Sequence, residues 1–138
     1  MPRRVDSDFE RAPESVRAAR QFVLATLASW DLDDMGEVAS LLTSELVTNA
    51  VLHAKTAFHL SVQSDDDREV LIEVTDGSDE PPVRGDARPD AEGGRGLVLV
   101  ASLASRWGTR LGPRGKAVWF CLERDARARP DGLSAVSP

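Results

Sequence analysis

The chain has 138 residues, 41% of them hydrophobic and 29% charged, which allows one folded core but not two. Its net charge of −6, with no basic cluster, argues against nucleic acid as the main partner, because binding phosphates requires grouped Lys and Arg. Cys121 is the only cysteine, which excludes an internal disulfide and favours an inert buried thiol. No segment approaches the roughly 20 apolar residues that span a bilayer, and residues 1–6 lack the apolar core of a secretory signal. We therefore expect a cytoplasmic protein without membrane contact.

The first eight residues show no periodicity and are expected to form a flexible N-terminus. Residues 13–30 predict an amphipathic helix, because Pro13 suits the first turn and apolar residues follow at steps of three and four. A second helix is predicted over residues 33–54. Its polar stripe is narrow, which indicates that neighbouring structure covers most of its sides. The stripe consists of Glu37, Ser40, Ser44, Thr48 and Lys55.

The second half of the chain predicts strands. Residues 58–63 and 70–75 alternate between apolar and polar side chains, with a turn between them. Residues 77–95 are irregular, and a loop of that length inside a compact domain is typical of a lid or binding loop. A short buried helix is predicted at residues 97–105, followed by a hairpin of strands at 107–111 and 116–122.

Helices grouped against a mostly antiparallel sheet predict an α+β fold, a two-layer sandwich with the helices on one face. We place the folded domain at residues 9–123. Residues 124–138 lack periodicity and are expected to be a flexible C-terminal tail, like residues 1–8 at the other end.

Glu45 and Asn49 are the first candidate site residues. They are four positions apart on the second predicted helix, so they share a face at the margin of its buried side. Polar groups there need partners, because an unpaired buried group costs about 1–3 kcal/mol. The alternative is that the two side chains cap a loop or bond to each other.

Asp76 continues the apolar row of its strand, so its side chain points to the same face as Val74. A carboxylate in that position would accept a hydrogen bond from an exocyclic amine such as that of adenine. The alternative is an ordinary turn residue, because Asp76-Gly77 is a good turn dipeptide.

The third candidate is the glycine-rich segment at residues 93–96, just before Leu97. Glycines at the start of a helix let the backbone approach a phosphate, and the helix N-terminus supplies N–H donors and positive potential. Such a segment alone is a weak signal. It lacks the βαβ context of a dinucleotide-binding fingerprint and the Lys-Ser/Thr of a P-loop.

Taken together and in this order, the three segments resemble the N, G1 and G2 boxes of the GHKL ATPases, which have the Bergerat fold. The segments are SELVTNAVLHA at residues 44–54, EVTDGS at 73–78 and GGRGL at 93–97. Within that superfamily the chain is most similar to the stand-alone anti-sigma-factor serine kinases of actinobacteria. The resemblance extends over residues 9–122.

The resemblance implies a role for each matching residue. Asn49 would hold Mg²⁺ beside the phosphates of ATP, and Glu45 would act as the general base on the attacking hydroxyl or water. Asp76 would accept from the adenine amine. The phosphates would be wrapped by the segment Gly94, Arg95, Gly96 and Leu97, with Arg95 as a charge clamp. His53 also falls in the first box, where we interpret it as a core or pocket-edge histidine.

Three positions depart from the superfamily pattern. Ser78 and Glu80 stand where two glycines of the G1 box are usual, although Ser78 matches related actinobacterial sequences. Ala117 stands where threonine is frequent, and we expect this change to remove a hydroxyl that supports the contact between adenine and the aspartate. These departures weaken the expectation of tight binding, whereas the retained Glu45 favours competence for chemistry.

The resemblance implies a serine/threonine kinase acting on an anti-anti-sigma-like protein, with a sigma factor as the alternative partner. It also allows a homodimer. The main alternative is a non-catalytic ATP-dependent switch that binds a protein partner. A catalytic module for a histidine kinase is disfavoured, because no helix pair with a phospho-accepting histidine precedes the domain. A nucleotide-free structural protein would leave Glu45, Asn49 and Asp76 unexplained.

Overall fold

The computed structural model describes residues 2–54, 56–77, 94–113 and 115–124. Within these ranges, five strands form one sheet in the order β1-β2-β3-β5-β4, with every neighbouring pair antiparallel. The strands are β1 (Arg3–Phe9), β2 (Phe58–Ser64), β3 (Glu69–Asp76), β4 (Arg106–Gly112) and β5 (Gly115–Glu123). The helices are α1 (Glu14–Ser29), α2 (Gly36–His53) and α3 (Gly94–Leu103), with a 3-10 turn at Asp33–Met35.

The core lies between the helices and one face of the sheet, which confirms the predicted two-layer α+β sandwich. In β3 the apolar row Val70, Ile72 and Val74 is buried, because alternate residues of a strand point to the same face. Matching rows from β2 and β5 lie beside it, and α1 and α2 cover them. The largest fully buried side chains are those of Phe120, Leu27, Leu32, Leu42, Leu60 and Ile72.

The first strand corrects the sequence analysis. Residues 1–8 were expected to be flexible, but Arg3–Phe9 pairs along its whole length with β2. The strand is anchored at both ends. The Arg3 guanidinium donates to the Trp30 carbonyl oxygen at 3.1 Å, and the Phe9 ring stacks on Phe58 with their centroids 5.3 Å apart. Because the strand lies at the edge of the sheet and alternates charged residues, it lacks the apolar row that identifies a central strand.

The end of α1 explains the tight connection to α2. Asp31 adopts φ 60°, and the N–H groups of Asp31 and Leu32 donate to the carbonyl oxygens of Ala28 and Leu27. This is the Schellman arrangement, in which a residue in the left-handed region satisfies the last carbonyl groups of a helix. Arg124 fastens the connection to the end of β5, because its guanidinium donates to both carboxylate oxygens of Asp34 at 2.8 and 2.9 Å.

Three further expectations need adjustment. Of the predicted tail at 124–138, the structure describes Arg124, which is held as above, and the remaining residues lie outside the described ranges. The helix predicted at 97–105 begins at Gly94, and it is only partly buried, because Val100 is enclosed whereas Leu103 is exposed. The polar stripe predicted for α2 is not its exposed face. Leu41 and Leu52 are exposed, whereas Ser40, Ser44 and Thr48 of the predicted stripe are half-buried. None of the helices in the described ranges is long and apolar enough to cross a membrane.

Within the described ranges, no helix covers the other face of the sheet, and ion pairs link its strands. Two arginines of β4 reach across β5 to glutamates of β3. Arg106 Nη2 lies 2.6 Å from Glu69 Oε2, and Arg110 Nη2 lies 2.6 Å from Glu73 Oε2. Cys121 lies beneath Arg106, buried, and its Sγ accepts a weak hydrogen bond at 3.5 Å. Burial raises the pKa of the Cys121 thiol, and the nearby Glu69 charge adds to that effect.

His59 joins β1 to β2 on the same face. Its Nδ1 lies 2.7 Å from an Asp8 oxygen and its Nε2 lies 2.8 Å from an Asp6 oxygen. Carboxylates accept on both sides, so the ring with both nitrogens protonated fits this pair of contacts. The hydrogen bonds to Asp8 and then Asp6 raise the pKa of His59. Asp6 also pairs with Arg4, which lowers the pKa of Asp6 to about 2.

We expect the stability of the protein to fall as pH rises above about 6.5, the ordinary pKa of histidine. A pKa raised in the folded state means that the stabilisation by His59 is complete at lower pH and is lost as the folded protein deprotonates. The His59 side chain is 39% exposed, so the effect should not exceed about 1 kcal/mol. Urea unfolding from pH 5 to pH 9 measures it.

The matched control for His59→Gln is His53→Gln. This control removes the other histidine of the chain, which is exposed. The free-energy difference between wild type and His59→Gln should shrink as pH rises, whereas His53→Gln should retain the pH dependence of wild type. A difference for His59→Gln that stays constant across this range would refute the role of the imidazolium.

Candidate nucleotide-binding site

Helix α2 supplies Glu45 and Asn49. The two side chains lie one turn apart and are both half-buried, at the margin between the enclosed face and the exposed face of the helix. The enclosed face is fixed by Leu42, Leu46 and Ala50, which pack into the core. The helix is therefore held in one orientation about its axis, and the two polar side chains emerge at a defined position. This agrees with their predicted place on the helix, whereas their roles remain predictions.

Asp76 ends β3 and is 4% exposed. It lies two residues beyond Val74 in the row that faces the helices, as the strand alternation predicts. A carboxylate so enclosed is costly unless charged or hydrogen-bonding groups compensate it, and such groups at the edge of a core are typical of binding sites.

A hydrogen bond connects the segment after α2 to the turn after β3. The Gly77 N–H donates to Thr56 Oγ1 at 2.7 Å, and a Cβ at Gly77 would lie 3.0 Å from the Thr56 methyl group. Helix α2 also packs against both β3 and α3. The three motif segments are therefore carried by elements that contact one another, although they are distant in sequence.

Gly115 lets β5 approach the end of β3 closely. Its φ is +127°, and a Cβ on this residue would overlap the backbone carbonyl oxygen of Asp76. Both the conformation and the space therefore require glycine. The close approach fixes the backbone of Asp76 from the side opposite to Phe58, its partner in β2.

Residue 116, and not residue 117, faces the candidate adenine-binding carboxylate. Lys116 is the direct partner of Asp76 across β3 and β5, and its Nζ lies 3.8 Å from Asp76 Oδ2. Ala117 pairs with Thr75 and points to the helix-free face. The expectation that Ala117 removes a hydroxyl from the neighbourhood of Asp76 is therefore wrong, because the strand alternation places its side chain on the other side of the sheet.

The glycine-rich segment forms the first turn of α3, which begins at Gly94. Gly94, Arg95, Gly96 and Leu97 therefore contribute backbone N–H groups at the N-terminal end of a ten-residue helix. The segment therefore lies at the start of a helix as predicted, and the use of its N–H groups for phosphates remains a prediction. Ser78, Glu80 and the predicted lid up to residue 93 lie outside the described residues.

Neither histidine of the chain is a predicted catalytic residue, and the two lie in different surroundings. His53 is exposed at the end of α2, so it is not a core histidine. His59 forms the contacts between β1 and β2 described above, which sequence reasoning missed because no motif surrounds it. Lys116, Gly115 and Thr56 were also missed. The sequence did contain a signal for Lys116. It lies two and four residues before Val118 and Phe120, so strand alternation places it in the same core-facing row.

The donor set suits Mg²⁺ shared with a nucleotide. Mg²⁺ keeps several waters and takes few protein oxygens when phosphates complete its shell. The side-chain oxygen of Asn49 is of the type that Mg²⁺ takes, and the described residues contain no cluster of three or more His, Cys, Asp or Glu that would form a metal cage. Asn49 would hold the ion, and the helix N-terminus at Gly94 would hold the phosphates.

A hollow of about 810 Å³ opens on the helix-free face, and its lining reaches Asp76, Gly77 and Gly115. Apart from Asp76, the charged residues of its lining pair with one another. Arg4 binds Asp6, Arg110 binds Glu73, and His59 binds Asp6 and Asp8. Bringing a triphosphate here would require these pairs to break, so we do not place the phosphates in this hollow.

The family model of the histidine kinase-like ATPase domain matches residues 9–122, and the chain belongs to this family. Membership makes it an ATPase domain of the GHKL type, a class that binds ATP, generally with Mg²⁺. Among solved structures it is similar to the RsbU and RsbW domains of Rv1364c from Mycobacterium tuberculosis, with a TM-score of 0.64 and 18% sequence identity. The match covers 88% of this chain and 32% of the other, so this chain spans about a third of that protein's length. No curated protein matches the chain.

The close approach of Gly115 to Asp76 predicts a mutational effect. Gly115→Ala should lower the free energy of unfolding by about 1–3 kcal/mol, because alanine disfavours this conformation and its Cβ overlaps the Asp76 carbonyl. Gly112→Ala in the same hairpin is the control, because a Cβ there meets nothing within 4 Å, and its effect should stay within about 0.5 kcal/mol. Chemical denaturation decides, and equal effects of the two substitutions would contradict the argument.

Proposed function

We propose that this protein binds ATP with Mg²⁺ and transfers the γ-phosphoryl group to a serine or threonine of an anti-anti-sigma-like protein in the cytoplasm. A sigma factor is the alternative partner. The observation that carries the proposal is the packing of α2, with Glu45 and Asn49, against both β3 and α3. Family membership and the likeness to a chain that contains an RsbW domain support it.

The nucleotide is recognised at two ends. Asp76 accepts a hydrogen bond from the adenine amine, which suits a nearly enclosed carboxylate at the edge of the core. The backbone N–H groups of Gly94, Gly96 and Leu97 donate to phosphate oxygens, and Arg95 adds a positive charge. Asn49 supplies an oxygen ligand to Mg²⁺ from the half-buried margin of α2.

Glu45 acts on the hydroxyl of the substrate. ATP supplies the γ-phosphoryl group, and ADP leaves with the bridging oxygen. Glu45 accepts the hydroxyl proton as the substrate oxygen bonds to phosphorus, so the products are a phosphoester, ADP and a protonated carboxyl group. Glu45 lies one turn from Asn49, which puts the proposed base beside the proposed metal ligand.

The surface around Glu45 favours a protein as the substrate. Val38, Leu41 and Leu52 are 37%, 43% and 44% exposed, and their spacing places them on the same side of α2 as Glu45. Single exposed apolar side chains are common, but three on one stripe form a surface that another protein can cover. A hydroxyl of that protein could then reach Glu45.

We expect Mg·ATP to stabilise the protein, because a ligand that binds only the folded state shifts unfolding by mass action. At 100 times the dissociation constant the stabilisation should be about 2.7 kcal/mol. Asn49→Ala should lose most of this shift, whereas Gln21→Ala, which removes an exposed amide from α1, should retain it. Thermal melts with and without Mg·ATP measure the effect. Absence of any shift in wild type would remove the basis of the proposal.

Glu45 distinguishes a kinase from a non-catalytic switch. Glu45→Gln should bind ATP like wild type while phosphate transfer falls by about 10² to 10⁴-fold, the usual contribution of a general base. Glu37→Gln is the control, because it removes a carboxylate from the exposed first turn of the same helix. The assay uses radiolabelled ATP and candidate anti-anti-sigma-like proteins. Undiminished transfer by Glu45→Gln would refute the assignment of the base. ATP-dependent binding of an acceptor with no labelled product in wild type would identify the protein as a switch.

A further inference from the structure

Lys116 is a buried lysine directly opposite the proposed adenine-binding carboxylate. It is 9% exposed and Asp76 is 4% exposed, and the two residues form the last pair between β3 and β5. The row that contains Lys116 continues through Val118, Phe120 and Leu122. An ammonium group therefore occupies a position where this strand otherwise carries apolar side chains.

The contact with Asp76 balances the charge of Lys116 without using its hydrogen-bond donors. The distance of 3.8 Å between Nζ and Oδ2 is an ion pair but exceeds the 2.7–3.2 Å of an N–H···O hydrogen bond. An ammonium group carries three N–H donors. The ion pair thus leaves donors that can turn towards another acceptor beside the Asp76 carboxylate.

Stability alone does not account for this pair. Replacing a buried ion pair with apolar residues of similar volume is often neutral or stabilising, because desolvation of the two charges offsets their attraction. A lysine paired with an aspartate at the edge of a core is better explained by a ligand that presents a donor and an acceptor side by side.

We propose that Lys116 is a specificity-determining residue that donates to the ring nitrogen N1 of adenine while Asp76 accepts from the neighbouring amine. This inference rests on the proposed ATP site. Adenine presents a donor at its 6-position and an acceptor at N1, and the pair of Asp76 and Lys116 offers the complementary acceptor and donor. Guanine in the same pose presents an acceptor to Asp76 and a donor to Lys116, so both contacts become repulsive.

The test combines a change in the protein with a change in the ligand. 1-Deaza-ATP keeps the amine but has C–H in place of N1, and Lys116→Met keeps the length of the side chain but removes its donors. Wild type should bind 1-deaza-ATP at least about tenfold more weakly than ATP, the scale of one charge-assisted hydrogen bond. Lys116→Met should bind ATP more weakly by a similar factor and bind the two nucleotides equally. Isothermal titration measures the four affinities.

The outcomes separate the inference from the proposed function. If wild type binds ATP and 1-deaza-ATP equally, or if Lys116→Met keeps the wild-type preference, Lys116 does not read N1 although the ATP site stands. Equal affinity of wild type for ATP and GTP would overturn the inference as well. If wild type binds no nucleotide, the proposed function fails and the inference fails with it. Should Lys116→Met not fold, the comparison of the two nucleotides on wild type still decides.

Discussion

The pairing of β3 with β5 is the interaction on which the rest of the site depends. These strands are neighbours in the middle of the sheet although α3 and β4 separate them in sequence. Their register puts Lys116 against Asp76, and the positive φ of Gly115 brings the two backbones into close contact at that point. A register shifted by one residue would exchange the faces of every side chain in β5 and bring Ala117 to Asp76. The identity of the side chain that faces Asp76 is thus determined by main-chain geometry.

The two faces of the sheet are stabilised by different interactions. The face towards the helices is apolar, and burial of its rows supplies the non-directional driving force for folding. The other face is organised by cross-strand ion pairs such as Arg110 with Glu73, which contribute little individually because their arginines are largely exposed. Polar residues on the apolar side are consequently few and informative. Asp76 and Lys116 are both among them, and both lie at the end of the sheet where the motif segments converge.

The sequence predicted the helices, four of the five strands and the two-layer architecture. Strands β2, β3 and β5 carry an apolar row with a clear period, whereas β4 has no buried residue and was predicted as the partner of β5 in a hairpin. The sequence did not predict β1, whose alternating charges on an edge strand look like an irregular segment. It also misjudged the neighbour of Asp76. Strand alternation could be read from residues 116–122, but the register against β3 depends on a long-range pairing that local patterns do not encode.

Candidate site residues were predictable to the extent that they formed a motif. Glu45, Asn49 and Asp76 could be identified from their order and spacing, whereas Thr56 and Gly115 act through single contacts with Gly77 and Asp76 that become visible only in three dimensions. Burial is similarly invisible in a short pattern. Most sides of α2 were expected to be covered, yet Leu41 and Leu52 are exposed, because Leu42 and Leu46 face the core.

The buried thiol of Cys121 gives the protein an internal reporter of its own opening. Thiol reagents attack the thiolate, and this cysteine is shielded by Arg106 and has a raised pKa, so the folded state should react slowly. Reagent uptake at the single cysteine of the chain then measures how often β4 and β5 separate. Lys116 lies in β5 and pairs with Leu111 of β4, so alkylation kinetics with and without nucleotide would report the rigidity of these two strands without any added label.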